Sequence, residues 1–150
     1  MTKIKNIIPK KIDDVKLFEL ASHNDDRGFF REVFNKELEL LIENKINFVQ
    51  DNESYSKHGV LRGLHFQNSP SEQSKLIRVS QGEIQDVIVD IRPKSNTYGQ
   101  WGSFKLSSNN NQSLFIPKGF AHGFLVLSQE AIVNYKVDNY YNRELDSGIV

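Results

Sequence analysis

Hydrophobicity along this chain alternates with a period of two residues, in runs too short and too often interrupted to be helices. The runs are KLFEL (16–20), FREVF (30–34), INFVQ (46–50), GVLRGLHF (59–66), SKLIRVS (74–80), EIQDVIVDI (83–91), GSFKLS (102–107), SLFIP (113–117), AHGFLVLS (121–128) and AIVNYKV (131–137). Gly, Asn, Ser and Pro stand between them, most densely in HNDDRG, SQGE and SSNNNQ, where turns are expected. So many short strands at this spacing predict an all-β antiparallel sandwich or barrel. One helix is expected over NKELELLIEN (35–44), with Asn35 as N-cap and Leu38, Leu41 and Ile42 along one side. At 150 residues, with no internal repeat and no linker, the chain is expected to form one domain over residues 1–150, stable without disulfides or structural metal.

Charge narrows the function classes. Lys plus Arg number 19 and Asp plus Glu number 19, so no global positive field gathers nucleic acid or anionic membrane, although a small phosphate pocket remains open to it. Cysteine is absent. That excludes a disulfide scaffold, a thiolate nucleophile and thiolate metal sites, and it suits a reducing cytoplasm. The basic start MTKIKNIIPKKIDDV is not followed by a continuous apolar run. No apolar stretch approaches the roughly 18 residues of a membrane span, so a soluble, unexported protein is expected.

Three runs carry chemistry. In EIQDVIVDI one face holds Val87, Val89 and Ile91 and the other Asp86, Ile88 and Asp90, so one face is core and the other is polar or lines something wet. The two aspartates are assigned here to the wetter face. In AHGFLVLS, His122 falls in line with Phe124 and Val126, as either a satisfied core histidine or a pocket residue. GVLRGLHFQ poses a conflict, because Arg62 and His65 are three residues apart and point to opposite faces of an ideal strand. Either one of them is ordinary surface, or Gly63 lets the strand bulge and turns both to the same side.

The segment PKGFAH (117–122) fits the P-x-G-x-x-H pattern of the second conserved motif of cupin barrels. The place of the first motif's histidine pair reads His65-Phe66-Gln67, so that pair is broken. A catalytic metal needs about three protein ligands, and a non-haem iron uses two histidines with a carboxylate. With His23 and His58 in expected loops, only His65 and His122 are available, and no metal is expected.

The segments RGFFREVF, FVQDN, GVLRGLHFQ, QSKLIRV, DVIVDIR, TYGQW, IPKGFAHGF and YKVDNYY resemble, in this order and over nearly the whole chain, the signature segments of the dTDP-4-dehydrorhamnose 3,5-epimerase family. The resemblance implies a cupin-like double-stranded β-helix, or jelly-roll barrel, with one short helix. It implies a cofactor-independent isomerase acting on a nucleotide-linked 4-keto-6-deoxy sugar, inverting C3 and C5 on the route to dTDP-L-rhamnose or a related deoxysugar for surface polysaccharide. The C4 ketone acidifies both carbons, and inversion needs a base on one face, an acid on the other and a cation at the enolate oxygen. By position, His65 is similar to the family's base, Tyr135 to its acid and Lys75 to the cation near O4. Arg27, Glu32, Gln50, Asn52, Arg62, His122, Tyr141 and Asp146 match positions that contact substrate, with the arginines suited to the diphosphate and Tyr141 to stacking on thymine. A homodimer with exchanged N-terminal strands is also implied, and IKNIIPKKI (4–12) is apolar enough to pair with a neighbour.

Family members continue past DSGIV (146–150) through a Trp-x-Asp segment whose carboxylate orients the catalytic histidine. The 150 residues lack that segment, so slower turnover with retained dTDP binding is expected, unless Asp86 or Asp90 substitutes. Epimerisation of a single carbon of another 4-keto sugar nucleotide, a non-catalytic sugar-nucleotide-binding cupin and a metal-dependent oxygenase are the competing readings. Deuterium exchange from solvent at C3 and C5 separates the first two enzyme readings from the binding module, and metal analysis separates the last.

Overall fold

The structure, a computed structural model, describes residues 5–6, 12, 14–42 and 46–150. In chain order its strands are β1 (Lys5–Asn6), β2 (Lys16–Glu19), β3 (His23–Asp25), β4 (Gly28–Phe30), β5 (Gln50–Lys57), β6 (Leu61–Gln67), β7 (Lys75–Gln81), β8 (Glu83–Asp90), β9 (Trp101–Ser107), β10 (Gln112–Ile116), β11 (Phe120–Val126), β12 (Glu130–Val137) and β13 (Asp146–Gly148). The helix α1 (Lys36–Ile42) lies between β4 and β5. One antiparallel sheet runs β1-β2-β10-β7-β12-β5 and a second runs β13-β6-β11-β8-β9, while β3 and β4 form a separate hairpin. The two large sheets face each other as the expected jelly roll.

Between them lies the main core. Ile77 and Val79 of β7, Leu114 and Ile116 of β10 and Val133 of β12 meet Ile84 and Ile88 of β8, Phe104 and Leu106 of β9 and Phe124 and Val126 of β11. Each such side chain taken fully out of water contributes about 1.5–3 kcal/mol, and the period-two alternation of each strand is what delivers it to this side. The outer face of the six-stranded sheet has its own cover, in which Phe18, Leu76 and Phe115 pack under Leu38 and Ile42 of α1 and Ile46.

The helix is capped as the sequence implies. Leu38 N donates to Asn35 Oδ1 at 2.9 Å, and Lys16 Nζ donates to the Leu41 carbonyl at 3.1 Å at the other end. Because α1 is only 7 residues long, its apolar face is confined to Leu38 and Ile42, and Leu41, expected on that side, is exposed. The last residues of the expected helix and the apolar segment 4–12, apart from residues 5, 6 and 12, lie outside the described residues.

Two expected strands do not form. FREVF leaves β4 at Phe30 and crosses as a loop whose Val33 and Phe34 pack on the outer cluster, and residues 46–49 of INFVQ do the same with Ile46 and Phe48. Both runs are apolar because they cover a sheet, not because they join one.

Candidate active site

The conflict in GVLRGLHFQ resolves as a bulge. His65 of β6 lies opposite His122 of β11, and Arg62 lies opposite Phe124, so three residues on β6 span two on β11. Gly63 absorbs the extra residue with φ of +116°, and a Cβ there would come within 2.5 Å of Gly123 Cα and 2.7 Å of the His122 carbonyl oxygen. No side chain fits that approach. Arg62 and His65 therefore face the same space, a cavity of about 460 Å³ that they share with Ile77, His122, Phe124 and Tyr135.

His65 and Tyr135 come from different sheets. His65 stands on β6 of the five-stranded sheet, and Tyr135 on β12 of the six-stranded one, directly opposite Ile77 on β7 and Asn52 on β5. They thus line opposing walls of one cavity. Burial pushes the Tyr135 phenol above its usual pKa, and the Arg62 charge opposes that shift. The phenol accordingly keeps its proton at neutral pH, as a proton donor must.

His122 is held by Asp86. Its Nε2 lies 2.8 Å from Asp86 Oδ2, and Asp86 is fully buried. A carboxylate at Nε2 fixes a proton there and leaves Nδ1 as the nitrogen of variable role. The expectation that Asp86 and Asp90 lie on a wetter face is corrected, because both have 0% exposure. The wet side of β8 is the outer one, where Val87 and Val89 are only partly covered. Charge placed the aspartates wrongly because their partners are distant in sequence or folded back from the next turn. Nor does Asp86 orient His65, since its bond goes to His122; among the described residues His65 makes no hydrogen bond to a carboxylate. Gly148 of β13 lies opposite it instead.

Lys75 follows Ile77 and Val79 onto the inner face of β7 and sits in register with Val137. Burial pushes its ammonium below the ordinary lysine value, while Asp86 and then Asp146 pull it back up. It is a half-buried cation within the fields of two carboxylates, on the inner face of the sheet but not itself among the side chains that line the cavity. Gln50 and Asn52 share the inner face of β5, with Gln50 Nε2 donating to Asn52 Oδ1 at 2.8 Å. Asp146 opens β13 and gathers Gln67 Nε2 at 3.0 Å and the Tyr141 hydroxyl at 3.3 Å, which ties Tyr141 to the strand beside His65.

Arg27 and Glu32 are not brought into this cavity by their own chain. Arg27 occupies the turn of the β3–β4 hairpin, where its side chain is 89% exposed and pairs with Asp25 at 2.5 Å; Glu32 lies on the loop that follows. Ser54 and Ser56 are site residues that the sequence reading missed. Ser54 lines the cavity, and Ser56 Oγ accepts from Arg62 Nε at 2.9 Å, with the Tyr55 carbonyl accepting from Nη2 at 3.3 Å. Their signal was the alternation Asn52, Ser54, Ser56 in QDNESYSK, a strand polar on both faces. Among the described residues no three His, Cys, Asp or Glu side chains converge as metal ligands, and no helix is long and apolar enough to cross a membrane.

The sequence model of dTDP-4-dehydrorhamnose 3,5-epimerase matches residues 9–150. The dTDP-4-dehydrorhamnose 3,5-epimerase of Escherichia coli is 51% identical over 145 residues, covering 96% of this chain and 78% of that one. Among solved structures, the Bacillus anthracis enzyme with TDP and PPi bound superimposes with a TM-score of 0.92 at 49% identity, covering 98% of this chain and 84% of that one. The Legionella pneumophila dTDP-6-deoxy-D-glucose-3,5-epimerase, in complex with dTDP-4-keto-L-rhamnose, gives a TM-score of 0.93 at 47% identity over 97% and 77% of the two chains. The double-stranded jelly roll is thereby the cupin-like fold of these enzymes.

Proposed function

Because the chain belongs to the dTDP-4-dehydrorhamnose 3,5-epimerase family, an isomerase family of rhamnose biosynthesis, we propose that its cavity inverts C3 and C5 of a dTDP-4-keto-6-deoxyhexose with His65 as base and Tyr135 as acid. One observation carries this reading: the imidazole and the phenol line opposing walls of one cavity. His65 takes the proton next to the ketone, the electron pair moves onto O4, and Lys75 stabilises the oxyanion. Tyr135 then delivers a proton to the opposite face of the same carbon. Enolisation at the second carbon repeats the sequence, and no oxidant or reductant enters the balance.

His122 holds the sugar through the nitrogen that Asp86 leaves available. Arg62 takes the diphosphate; its guanidinium uses part of its donor set on Ser56 and Tyr55 and keeps the rest for phosphate oxygens, while Gln50 and Asn52, farther along the strand that bears Ser56, contact another part of the substrate. Tyr141, steadied by Asp146, stacks on the thymine. Arg27 and Glu32 act in a homodimer. In support, the hairpin turn that bears Arg27 is followed by Phe29 and Phe30, exposed at 66% and 67%, a projection suited to a second copy. The enzyme works in the cytoplasm, where sugar nucleotides are made.

The test is incubation with dTDP-4-keto-6-deoxyglucose in D2O, followed by proton NMR. Deuterium at both C3 and C5 with conversion to the L-configured product is expected. Exchange at neither carbon, with dTDP still bound, would reduce the protein to a binding module.

A further inference from the structure

Behind the sheet that carries Lys75 and Tyr135, on the opposite face, lies a second cleft of about 370 Å³. Arg78 lines it, held by register between Ser113 on β10 and Asn134 on β12. The loop leaving β4 brings Arg31 alongside, where burial and then the Arg78 charge push its guanidinium below the ordinary arginine value. Arg31 is steadied by the Phe29 ring, 4.8 Å from its guanidinium carbon, and by a 3.5 Å contact to Ser22 Oγ. Among the described residues neither arginine forms an ion pair.

Two buried polar atoms of residues that line the cleft, Ser113 Oγ and Asn134 Oδ1, and one on the adjoining loop, Arg31 Nε, are without hydrogen-bond partners. Buried donors and acceptors are rarely left unpaired, because burial strips them of water without replacing its hydrogen bonds. The carboxylates at the cleft are already engaged, Asp51 with Lys136 at 2.7 Å and Glu53 with Asn134 Nδ2 at 2.8 Å. The unmet needs are thus the Arg31 Nε donor and the Ser113 hydroxyl, beside the Arg78 cation, that call for acceptor oxygens, and one amide oxygen that calls for a donor. A phosphate carrying one proton supplies both, with its bare oxygens toward Arg31, Arg78 and Ser113 and its P–OH toward Asn134.

We propose that Arg31, Arg78, Ser113 and Asn134 form a second, phosphate-binding site on the outer face of the six-stranded sheet. The ligand chemistry is a phosphate or phosphomonoester, with Val33 and Leu76 beside it offering apolar surface to an ester's carbon portion. The site does not depend on the epimerase reading of the inner cavity. It does share strands with it: Arg78 is three residues from Lys75 on β7, and Asn134 adjoins Tyr135 on β12, so a ligand outside bears on the two strands that present those side chains within.

The experiment is a titration of the 15N-labelled protein, followed by amide NMR, with inorganic phosphate, with glucose 1-phosphate and with sodium sulfate at matched ionic strength. At pH 6, where inorganic phosphate and about half of a phosphomonoester carry a proton and sulfate carries none, saturable shifts at the amides of Arg78, Ser113 and Asn134 with either phosphate, weaker with sulfate, are the expected result. Saturation by glucose 1-phosphate alone identifies an ester as occupant, and saturation by both identifies the free ion as sufficient. Arg78→Met and Arg31→Met should each abolish the response; Arg31 lies in a loop, so its variant keeps the sheet intact should the first fail to fold. Absence of saturable shifts in the parent protein, or shifts confined to Arg62, His65 and His122, would overturn the proposal.

Discussion

The two aspartates of β8 stand four residues apart on one face of one strand, both sealed from water, yet they are built for different work. Asp90 is saturated. Its carboxylate accepts from Arg92 Nε at 3.0 Å and Nη2 at 2.8 Å, from the hydroxyls of Ser95 and Thr97, each at 2.6 Å, and from Arg92 N at 2.9 Å. Burial opposes its charge, but these bonds prevail and hold the carboxyl well below the usual range. Asp86 has one hydrogen bond, to His122, and its Oδ1 has none. Its second interaction is the field it places on Lys75. A carboxylate with every lone pair occupied locks a turn, whereas one with an oxygen in reserve, next to a cation and a histidine in a cavity, can respond when the charge around it changes.

If that division of labour holds, activity and stability should come apart along β8. The largest effect is expected at the proposed base in the cavity that His122, the partner of Asp86, lines with it: His65→Asn should lower epimerisation by about 100- to 10,000-fold while leaving the thermal midpoint nearly unchanged. An unaltered rate in steady-state assays would remove His65 from the chemistry. At the other end, Asp90→Ala should destabilise the fold by about 3–5 kcal/mol, because it strands Arg92 and two hydroxyls, with normal turnover per folded molecule.

The pH dependence of that loss has a definite sign. A depressed carboxyl contributes stability above its unfolded pKa of about 4, and the contribution is lost as pH falls through the lower native value. Urea unfolding should therefore show the gap between parent and Asp90→Ala at pH 7 narrowing in strong acid. A gap that widened there would refute the assignment.

Asp86→Asn should cost about 10- to 100-fold in turnover, the range for a supporting ligand of this kind, and far less stability than Asp90→Ala. It also removes the charge that raises the Lys75 ammonium, so the alkaline limb of the pH–rate profile should move to lower pH. An unshifted limb would break the link between Asp86 and Lys75. The smallest effect belongs to Ser56→Ala, which deletes one hydrogen bond to Arg62 worth about 1 kcal/mol and should raise KM several-fold without changing kcat.

The same strand shows what the sequence could disclose. Asp90 was readable in principle, because its partners follow within seven residues in IRPKSNT; the partner of Asp86 is 36 residues away, and only the fold joins them. The bulge was legible because a glycine between two functional side chains on one strand has few explanations. β5 was not, because its inner face lines a cavity and its outer face carries charge, so no apolar alternation betrays it. FREVF and INFVQ misled for the converse reason, since an apolar loop that roofs a sheet has the composition of a strand.

At the Gly63 bulge two backbones touch with no side chain between them, so the offset between the backbone positions of Arg62 and His65 is set by main chain alone. In the proposed function, where Arg62 meets the diphosphate and His65 the sugar carbons, that fixed offset is a ruler. It favours a ligand that carries an anion at a fixed number of bonds from the reacting ring, and a free sugar, with no phosphate, has nothing to register at the Arg62 end however well its ring matches the pocket.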